Sequence, residues 1–324
     1  MTSATSLATT LAHTLQRLVA PSLQRSRPYA LFNIELKRRL ALSPSMTRFV
    51  FGGADVARIR TLAPDQRVKL FFAAADGTAP DLPCQGDWQA ARRALPACSQ
   101  PPMRTYTIRA LRADVGELDI DFVLHGETGP ASTWATHARP GDRLQIVAPA
   151  AEHAADPGGY EWQPPPGIRQ VLLIGDETAL PAIAGILDTY AEQADPPRVQ
   201  AFIEVPCAAD RLVLPEPAGS RIHWLARQTL GQQHGEPMLQ AARELATLPH
   251  APAHARSKKP LEDVDIEQDI LWELARPANN AFYAWIAGES AAVMAIRKHL
   301  ISERGLDRQA LTFMGYWRLG RALG

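Results

Sequence analysis

A short strand-like segment could present an aromatic ring, hydroxyl groups and two cations to one flat, phosphate-bearing ligand. Residues 104–109 read Arg-Thr-Tyr-Thr-Ile-Arg. Side chains of a strand alternate between its two faces. Counted in this way, the two faces carry Arg104, Tyr106 and Ile108, and Thr105, Thr107 and Arg109.

A glycine-bearing loop at residues 125–134, His-Gly-Glu-Thr-Gly-Pro-Ala-Ser-Thr-Trp, leads into a predicted helix. Gly126 and Gly129 allow close backbone approach, and the amides around Ala131 and Ser132 lie at the helix start. Unpaired N–H groups and the helix dipole attract a pyrophosphate there. Each segment alone is equally compatible with a good strand former or a capped turn. Together they indicate a flavin site.

In order and spacing these segments resemble the siderophore-interacting proteins, FAD-dependent NAD(P)H ferric-siderophore reductases of the ferredoxin-reductase-like superfamily. The resemblance extends from about residue 28 to the C-terminus, and such a motif set is more specific than a lone glycine loop. The further matching segments are 32–38, 68–72, 121–134, 175–181, 287–289 and 315–318. The resemblance implies electron transfer from NADPH, or NADH, through FAD to a ferric siderophore or another ferric chelate.

The first half of the chain is predicted to form an antiparallel sheet closed as a small barrel, because short apolar or alternating runs recur without long helices. A Pro- and Gly-rich stretch at 73–103, with a helix candidate at 88–94, is longer than an ordinary connection and is predicted to be an insertion. The predicted strands are 31–36, 47–51, 68–72, 105–111, 118–124 and 143–147.

A second domain is predicted after residues 149–167, which have the Pro- and Gly-rich composition of a linker. Strands then alternate with helices, which favours a right-handed, mostly parallel α/β sheet. The predicted strands are 171–174, 199–205, 221–225, 282–287 and 311–314, and one predicted helix spans 290–304 before Gly305. The chain should therefore contain an N-terminal antiparallel β-barrel, the flavin domain, at 28–150 and a C-terminal α/β parallel sheet, the nucleotide domain, at 166–324.

Ligands of open α/β sheets bind beyond the carboxyl ends of the strands, which points to the loops at 175–178 and 288–290. Neither loop has a dinucleotide fingerprint or a P-loop, and two ordinary capped turns would explain them equally well. The resemblance assigns them to the nicotinamide nucleotide. Because acidic side chains are unfavourable neighbours for a phosphate, Asp176, Glu177 and Glu289 are expected to face its ribose or nicotinamide end. Glu204 favours NADH and Arg227 favours NADPH, while the resemblance favours NADPH.

The resemblance also implies individual roles. Arg104 contacts the flavin phosphate, Tyr106 lies against the isoalloxazine or ribityl part, and Thr107 hydrogen-bonds near the flavin N5. The implied cofactor-binding residues are Arg104, Thr105, Tyr106, Thr107, Asp121, Phe122, Val123, His125, Gly129, Ala131, Ser132, Trp134, Asp176, Glu177, Thr178, Ala179, Arg227, Gly288 and Glu289.

The electron acceptor requires a cationic mouth, because ferric siderophores are usually anionic complexes. Lys69, in an otherwise apolar strand, is the leading candidate, followed by Arg109 and Arg318. For Lys69 and Arg318 a plain solvent-facing position is equally compatible. The rings at 316–317 could cover the flavin or be buried between domains.

Bulk properties exclude several classes of function. Lys plus Arg and Asp plus Glu both total 34, so no global field favours nucleic acid or an anionic membrane. No run approaches the ~20 apolar residues of a membrane span. Residues 1–27 have leucines at helical spacing but no secretory signal, and we expect a short amphipathic helix in a cytoplasmic protein.

Cysteine and histidine spacing predicts no metal site in the protein. Cys84, Cys98 and Cys207 form no paired motif and are expected to be free thiols. His250 and His254 are four residues apart, but neighbouring prolines break any helix there, so they are predicted to be loop histidines. Two rival functions remain open: an FAD electron carrier reduced by a ferredoxin-like partner, and a siderophore-binding protein without redox activity.

Overall fold

The computed structural model describes residues 28–249 and 270–321. Two sheets organise these residues, one of seven strands in the first half of the chain and one of six in the second. The helix predicted within residues 1–27 and the loop histidines His250 and His254 lie outside the described residues.

The first sheet is antiparallel throughout, in the order β4-β3-β7-β1-β2-β6-β5. Its strands are β1 (Tyr29–Ser43), β2 (Met46–Gly52), β3 (Arg67–Phe71), β4 (Met103–Thr107), β5 (Ala110–Arg112), β6 (Glu117–Val123) and β7 (Arg143–Pro149). The predicted antiparallel sheet is confirmed, but the sheet is a half-barrel with two edges, and the predicted full closure is wrong for the described strands.

The half-barrel remains open because its edge strands β4 and β5 belong to one interrupted segment. The amide of Ile108 donates to the Gln66 carbonyl at 2.9 Å, whereas the next amide, of Arg109, donates to the Asp119 carbonyl at 2.9 Å. The backbone thus changes partners between adjacent residues, from the β3 side to β6. The strand predicted at 105–111 is therefore split in two.

Inward-facing apolar side chains fill the half-barrel. On β6, Leu118, Ile120 and Phe122 are at most 1% exposed and belong to its core. The insertion covers the outer face of β3 only at its Phe71 end, and its helix α1 (Trp88–Ala94) matches the predicted bounds. Trp88 packs edge-on against Phe71 with ring centroids 5.4 Å apart.

The second sheet has the order β10-β9-β8-β12-β13-β11. Its strands are β8 (Gln170–Gly175), β9 (Arg198–Val205), β10 (Arg221–Ala226), β11 (Trp272–Glu273), β12 (Tyr283–Glu289) and β13 (Leu311–Trp317). Five strands are parallel, but β11 pairs antiparallel with β13, so the sheet is mixed and the prediction of a parallel sheet is wrong at this edge. A two-residue strand has no readable periodicity, and antiparallel edge strands are common on such sheets.

Helices cover both faces of the second sheet. They are α3 (Leu180–Ala191), α4 (Arg227–Leu230), α5 (Glu236–Gln240) and α6 (Ser290–Lys298), and the half-barrel adds α2 (Pro130–His137). Wider π-helical turns extend α5 over Ala241–Leu245 and α6 over His299–Glu303. Gly305 follows with φ 68°, the left-handed conformation expected after a helix.

The strand order changes direction between β8 and β12. From β8 the chain builds outwards through β9 and β10, and the later strands β12 and β13 build in the opposite direction. Because such sheets bind ligands at this reversal, we expect a binding crevice beyond Gly175 and Gly288. In the ranges 28–249 and 270–321, none of the helices is both long and apolar enough to cross a membrane.

Candidate functional site

Two segments far apart in the sequence, β4 and α2, meet through an aromatic cluster. Tyr106 on β4 stacks on Phe122 with ring centroids 4.2 Å apart. Phe122 packs against Trp134 of α2 at 5.9 Å. Phe72 contacts Tyr106 at 6.5 Å and Trp134 at 5.9 Å. The predicted ligand strand and the predicted ligand loop are therefore neighbours in the fold.

Arg104 provides a cation on the inner face of β4. Its cross-strand partner is Leu70, and that of Tyr106 is Val68, both residues of the half-barrel core. The Nη1 atom of Arg104 donates to the Met103 carbonyl at 2.7 Å, and no carboxylate of the described residues pairs with the guanidinium. A half-buried cation without an acidic partner is well suited to an anionic ligand.

The two threonines of β4 differ in exposure. Thr105 is exposed and lies opposite Lys69, so these two side chains share the outer face of the sheet. Thr107 is 6% exposed and lies opposite Arg67. Arg104 and Lys69 therefore occupy opposite faces of the β3–β4 pair.

The α2 helix begins with a turn that leaves its first amides available. The Ser132 Oγ accepts from the Gly129 amide and donates to the Gly129 carbonyl, both at 3.0 Å. The amides of Ala131 and Ser132 lie in the first turn, where no helical carbonyl can accept them. Because the preceding residues 125–128 are exposed, this helix start is accessible to an anion.

Two side-chain contacts hold the loop before α2. The Nδ1 atom of His125 lies 3.2 Å from the Thr128 Oγ1. The Nε2 atom of His137 lies 3.1 Å from a Glu127 carboxylate oxygen. The loop is thus anchored to α2 while its backbone remains at the surface.

A groove of about 570 Å³ joins the start of α2 to the start of β4. Pro102, which directly precedes β4, lines it on one side, and α2 lines it on the other. The lining residues are Ala73, Ala74, Ala75, Pro102, Pro130, Thr133, Trp134, His137, Ala138 and Asp142.

The predicted ligand residues on β6 have structural partners. Arg48 donates from Nε and Nη2 to the two oxygens of Asp121, at 2.7 and 2.9 Å. Phe122 is 1% exposed in the half-barrel core, and Val123 packs against the core of the second domain. The Asp121 charge is therefore already neutralised within the protein.

Asp176 lies at the centre of the carboxyl edge of the second sheet. Its fully buried Oδ1 accepts from the Thr178 amide at 2.9 Å, and its Oδ2 accepts from the Glu289 amide and the Trp317 Nε1, both at 2.8 Å. Gly288 has φ 149°, and a Cβ there would stand 2.6 Å from the Asp176 Oδ2. Asp176 therefore joins the ends of β8, β12 and β13.

An ion-pair network occupies the neighbouring strand ends. Arg227 donates to both oxygens of Glu177 at 2.8 Å and to the Glu204 Oε1 at 3.0 Å. Glu204 is fully buried and also accepts from the amides of Gly235 and Met238 at 2.8 and 3.3 Å. The two residues that favoured different nucleotides in the sequence are thus bound to each other.

Glu289 serves as the N-terminal cap of α6. Its Oε2 accepts from the amides of Ala291 and Ala292 at 2.7 and 3.0 Å, and its Oε1 accepts from the Leu319 amide at 3.3 Å. Ala179 is fully buried in the core beside α3. At this edge the acidic side chains hold loops together.

His234 lies among three carboxylates and was not identified from the sequence. Its Nε2 is 3.8 Å from Asp176 and 3.6 Å from Glu177, and its Nδ1 is 3.6 Å from Glu204. Its ring stands edge-on to Trp317 at 4.8 Å. A single histidine in an irregular loop has no spacing signal, because its partners come from three other segments.

Burial and charge shift the pKa values of this cluster in opposite directions. Burial alone would lower the pKa of His234, but the surrounding carboxylates outweigh it and raise the pKa. Burial raises the pKa of Asp176, and the adjacent Glu177 raises it further. Burial opposes ionisation of Glu177, yet Arg227 and His234 lower its pKa. Two adjacent carboxyl groups therefore differ in their ease of protonation.

A cation–aromatic clamp joins the two sheets. The Arg67 guanidinium lies 4.3 Å from the Trp272 ring centroid and donates to Glu161 at 2.6 Å. The Trp272 Nε1 donates to the same Glu161 oxygen at 3.0 Å, and its ring stacks with Tyr316 at 6.1 Å. Near this clamp, burial raises the pKa of Asp65 to about 6.

The three cations predicted for the acceptor mouth lie in different places. Lys69 is two residues from Arg67 on the same face of β3, and no carboxylate in the described part of the chain pairs with it. Burial and the Arg67 charge lower the pKa of Lys69. Arg109 forms an ion pair with Asp188 of α3 at 2.7 Å. Arg318 is half-buried directly after β13.

Family models match both halves of the chain. Residues 35–153 match the model described as the siderophore-interacting FAD-binding domain, and residues 168–320 match the one described as siderophore-interacting protein. The first range contains β2 to β7 and most of β1, and the second contains β8 to β13.

Curated relatives and solved structures are similar along nearly the whole chain. Ferric vibriobactin reductase of Vibrio cholerae is 26% identical, with 89% of each chain covered. NADPH-dependent ferric-chelate reductase of Escherichia coli is 27% identical, covering 85% of this chain and 88% of the relative. The crystal structure of a siderophore utilization protein from T. fusca has a TM-score of 0.68 and 30% identity, covering 91% of this chain and 95% of that one.

Proposed function

This chain belongs to the siderophore-interacting protein family, and we propose that it is an FAD-containing reductase that transfers electrons from NADPH to ferric siderophores. Iron(II) binds oxygen donors more weakly than iron(III), so reduction releases the metal. The proposed location is the cytoplasm, where the nicotinamide donor is available. The observation that carries the proposal is Arg104, a cation without a carboxylate partner in the described residues, on the strand that the aromatic cluster joins to α2.

FAD is proposed to bind at the half-barrel, where its charge would be compensated. Its pyrophosphate requires cations and free amides, which Arg104 and the amides of Ala131 and Ser132 can supply. The 570 Å³ groove that extends from this point along α2 could accept the adenosine end of the cofactor. Tyr106, held by Phe122, provides an aromatic surface for the isoalloxazine.

Bound FAD would supply the conversion between a two-electron donor and a one-electron acceptor. The protein residues bind and orient the reactants. Thr107, at the buried end of β4, is proposed to hydrogen-bond the flavin, and the Arg67–Trp272–Tyr316 clamp is proposed to hold the two domains together. Lys69, beside that clamp, is proposed to attract the anionic ferric complex.

The nicotinamide nucleotide is proposed to bind at the crevice beyond β8 and β12. The relative from Escherichia coli, named for its NADPH dependence, supports this choice of donor. Arg227 could reach a 2′-phosphate only by exchanging its bonds with Glu177 and Glu204 for new ones. NADPH binding is therefore proposed to rearrange this network.

The same closed network favours one alternative. A crevice whose charged groups already satisfy one another could bind NADPH weakly, and a ferredoxin-like protein could then reduce the flavin instead. NADPH is proposed as the donor because of the family resemblance and because the crevice lies where the strand order reverses.

A turnover assay tests the proposal. FAD-loaded protein is mixed anaerobically with NADPH and a ferric siderophore in the presence of a chromogenic iron(II) chelator. Continuous formation of the iron(II) complex that depends on protein, FAD and NADPH supports the function. A protein that binds the ferric siderophore but never forms iron(II), with any reductant, would be a binding protein instead.

A further inference from the structure

The turn between β1 and β2 belongs to the half-barrel in sequence but inserts into the second domain. Met46 is 3% exposed and lies in the core formed around α3, and Leu42 packs against the same core. Val123, at the end of β6, packs there as well. The flavin half is therefore docked through apolar contacts on both sides of the turn.

Asp210 completes this docking with hydrogen bonds across the domain boundary. It is 3% exposed and lies in the turn Ala208–Asp210 that follows β9. Its Oδ1 accepts from the Ser43 Oγ and the Ser45 amide, both at 2.8 Å, and its Oδ2 accepts from the Ser45 Oγ at 3.1 Å. One buried carboxylate thus binds three donors of the other domain.

Donors from its own loop orient the same carboxylate. The amide and the Sγ of Cys207 lie 3.2 and 3.1 Å from the Asp210 Oδ2. Five donors therefore converge on the two oxygens, which fixes the rotamer of the side chain. Burial alone would raise the pKa of Asp210, but the donors from Cys207, Ser43 and Ser45 outweigh it and lower the pKa.

The docked turn is linked directly to the loop proposed to bind FAD. The Leu124 amide donates to the Ser45 carbonyl at 2.8 Å, and Leu124 is followed by His125 and the glycine-bearing loop. On the other side, Asp210 is reached from β9, whose end carries Glu204 of the nucleotide crevice. The contact between Ser45 and Asp210 thus connects the segments that lead to the two proposed cofactor sites.

We propose that Asp210 is a positioning residue that holds the nucleotide crevice at the correct distance from the flavin for hydride transfer. This inference rests on the proposed function for its kinetic consequence. Hydride transfer requires reacting atoms about 3–3.5 Å apart, and a displacement of about 1 Å can slow the reaction by roughly a hundredfold. A rigid link between the two cofactor sites therefore controls the rate without contacting either reactant.

The experiment compares wild type with Asp210→Ala and Ser43→Ala, and uses Ser220→Ala as a matched control. The Ser220 Oγ accepts from the Val199 amide at 3.0 Å within the nucleotide domain, so its removal deletes a serine hydrogen bond of the same domain without crossing the boundary. Two readouts are made on FAD-loaded protein: hydrogen exchange of the Ser45 amide, and anaerobic flavin reduction at increasing NADPH.

We expect the Ser45 amide to exchange about tenfold faster in Asp210→Ala than in wild type, because its acceptor is lost. At saturating NADPH, flavin reduction should be slower by roughly 10- to 100-fold, while the apparent Kd for NADPH changes less than about threefold. Ser43→Ala should show both effects at smaller size. Adding Ser43→Ala to Asp210→Ala should cause no further slowing of flavin reduction, because Asp210→Ala already removes the hydrogen bond between Ser43 and Asp210.

The outcomes separate the inference from the proposed function. If NADPH fails to reduce the wild-type flavin, the proposed electron donor is wrong. Hydrogen exchange of the Ser45 amide still tests the link between the domains in that case. Equal exchange of the Ser45 amide in Asp210→Ala and Ser220→Ala would overturn the inference. If NADPH reduces the wild-type flavin, equal rates of flavin reduction in these two variants would overturn it as well. If Asp210→Ala does not fold, the comparison of Ser43→Ala with Ser220→Ala decides the question.

Discussion

The proposed flavin site and the nucleotide crevice differ in how their charges are compensated. In the half-barrel, Arg104 and Lys69 have no carboxylate partners within the described ranges, and the loop before α2 is exposed. In the crevice, Glu177 and Glu204 bind Arg227, and Asp176 accepts from three neighbouring segments. The first site therefore offers positive charge that no carboxylate compensates, whereas a ligand of the second would have to exchange internal bonds for its own.

This difference predicts two kinds of binding. FAD should bind to a largely preformed surface, so little of its binding energy is lost to rearrangement. NADPH should bind more weakly than FAD, because breaking the Glu177–Arg227 ion pair offsets part of the binding energy that the 2′-phosphate of NADPH contributes. A resident flavin and an exchanging nicotinamide nucleotide are what a reductase cycle requires.

The largest expected effect comes from Arg227→Ala, which opens the closed site. The side chains of Arg227, Glu177 and Glu204 are 15%, 10% and 0% exposed, so the variant leaves two buried carboxylates without their cation. We expect a loss of about 3 kcal/mol in the free energy of unfolding and a narrower preference for NADPH over NADH. Chemical denaturation measures the first and cofactor titration the second.

A control separates these two consequences. Arg112→Ala removes a cation that pairs with Glu117 and Asp119 on the half-barrel, far from the crevice. It should change stability without changing the ratio of the two nucleotide affinities. If that ratio is also unchanged in Arg227→Ala, Arg227 is a structural residue only.

The second prediction concerns the open site. Arg104→Ala should weaken FAD binding by roughly 10- to 100-fold, since a charge-assisted contact to phosphate contributes about 1.5–3 kcal/mol. Stability of the flavin-free protein should fall little, because Arg104 has no buried carboxylate to leave behind. Flavin content and unfolding of the apoprotein measure the two. A fully yellow variant with normal reduction would remove Arg104 from the site.

The two sites also differ in how much of each could be inferred from the sequence. Arg104, Tyr106 and the loop before α2 were identified because strand alternation and helix-start chemistry are local properties. The ion pairs of Arg227 were not, because Glu177 and Glu204 come from separate segments joined only by the sheet, and neither was His234, which lies beside both carboxylates. For the same reason Asp210 was missed, although its turn follows the correctly predicted strand β9.

For the fold as well, local features could be predicted from the sequence and strand pairing could not. Strand runs such as 171–174 and 199–205 were readable because buried parallel strands are continuously apolar. The split between β4 and β5 and the short antiparallel strand β11 were not, since each depends on which backbone groups become neighbours. Periodicity reports burial, and it does not report the hydrogen-bond partner.

The third prediction uses pH to loosen the closed site. His234 has a raised pKa in the folded protein, so its protonated form contributes stability that is complete below its ordinary pKa of about 6.5 and is lost as pH rises through the folded value. The free energy of unfolding should therefore decline as pH rises from about 6.5 into the alkaline range. Denaturation across this range in wild type and His234→Gln measures it, and identical pH profiles would contradict the account.

The smallest expected effect concerns Lys69 at the proposed mouth. Lys69→Ala should raise the apparent KM for an anionic ferric siderophore by about three- to fivefold, and less at high salt, because exposed charges are screened over about 10 Å at 0.1 M ionic strength. Flavin content and reduction by NADPH should not change. Lys37→Ala, which removes a lysine paired with Glu35 on β1, is the matched control.

A neutral ferric complex provides the second comparison for Lys69. Its reduction should change little in Lys69→Ala, because no long-range attraction is lost. Equal losses for neutral and anionic acceptors would mean that Lys69 supports the half-barrel or the flavin, and the proposed cationic mouth would be wrong.

The central claim is that electrons pass from NADPH through FAD to the ferric siderophore, and anaerobic double mixing in a stopped-flow instrument tests it most directly. One equivalent of NADPH is mixed with FAD-loaded protein, and a ferric siderophore with an iron(II) chelator follows. We predict that NADPH bleaches the flavin absorbance and that the siderophore restores it with about two iron(II) ions formed per flavin. Flavin that stays oxidised with NADPH, yet reduces the siderophore after reduction by dithionite, would contradict the claim and favour a ferredoxin-like donor.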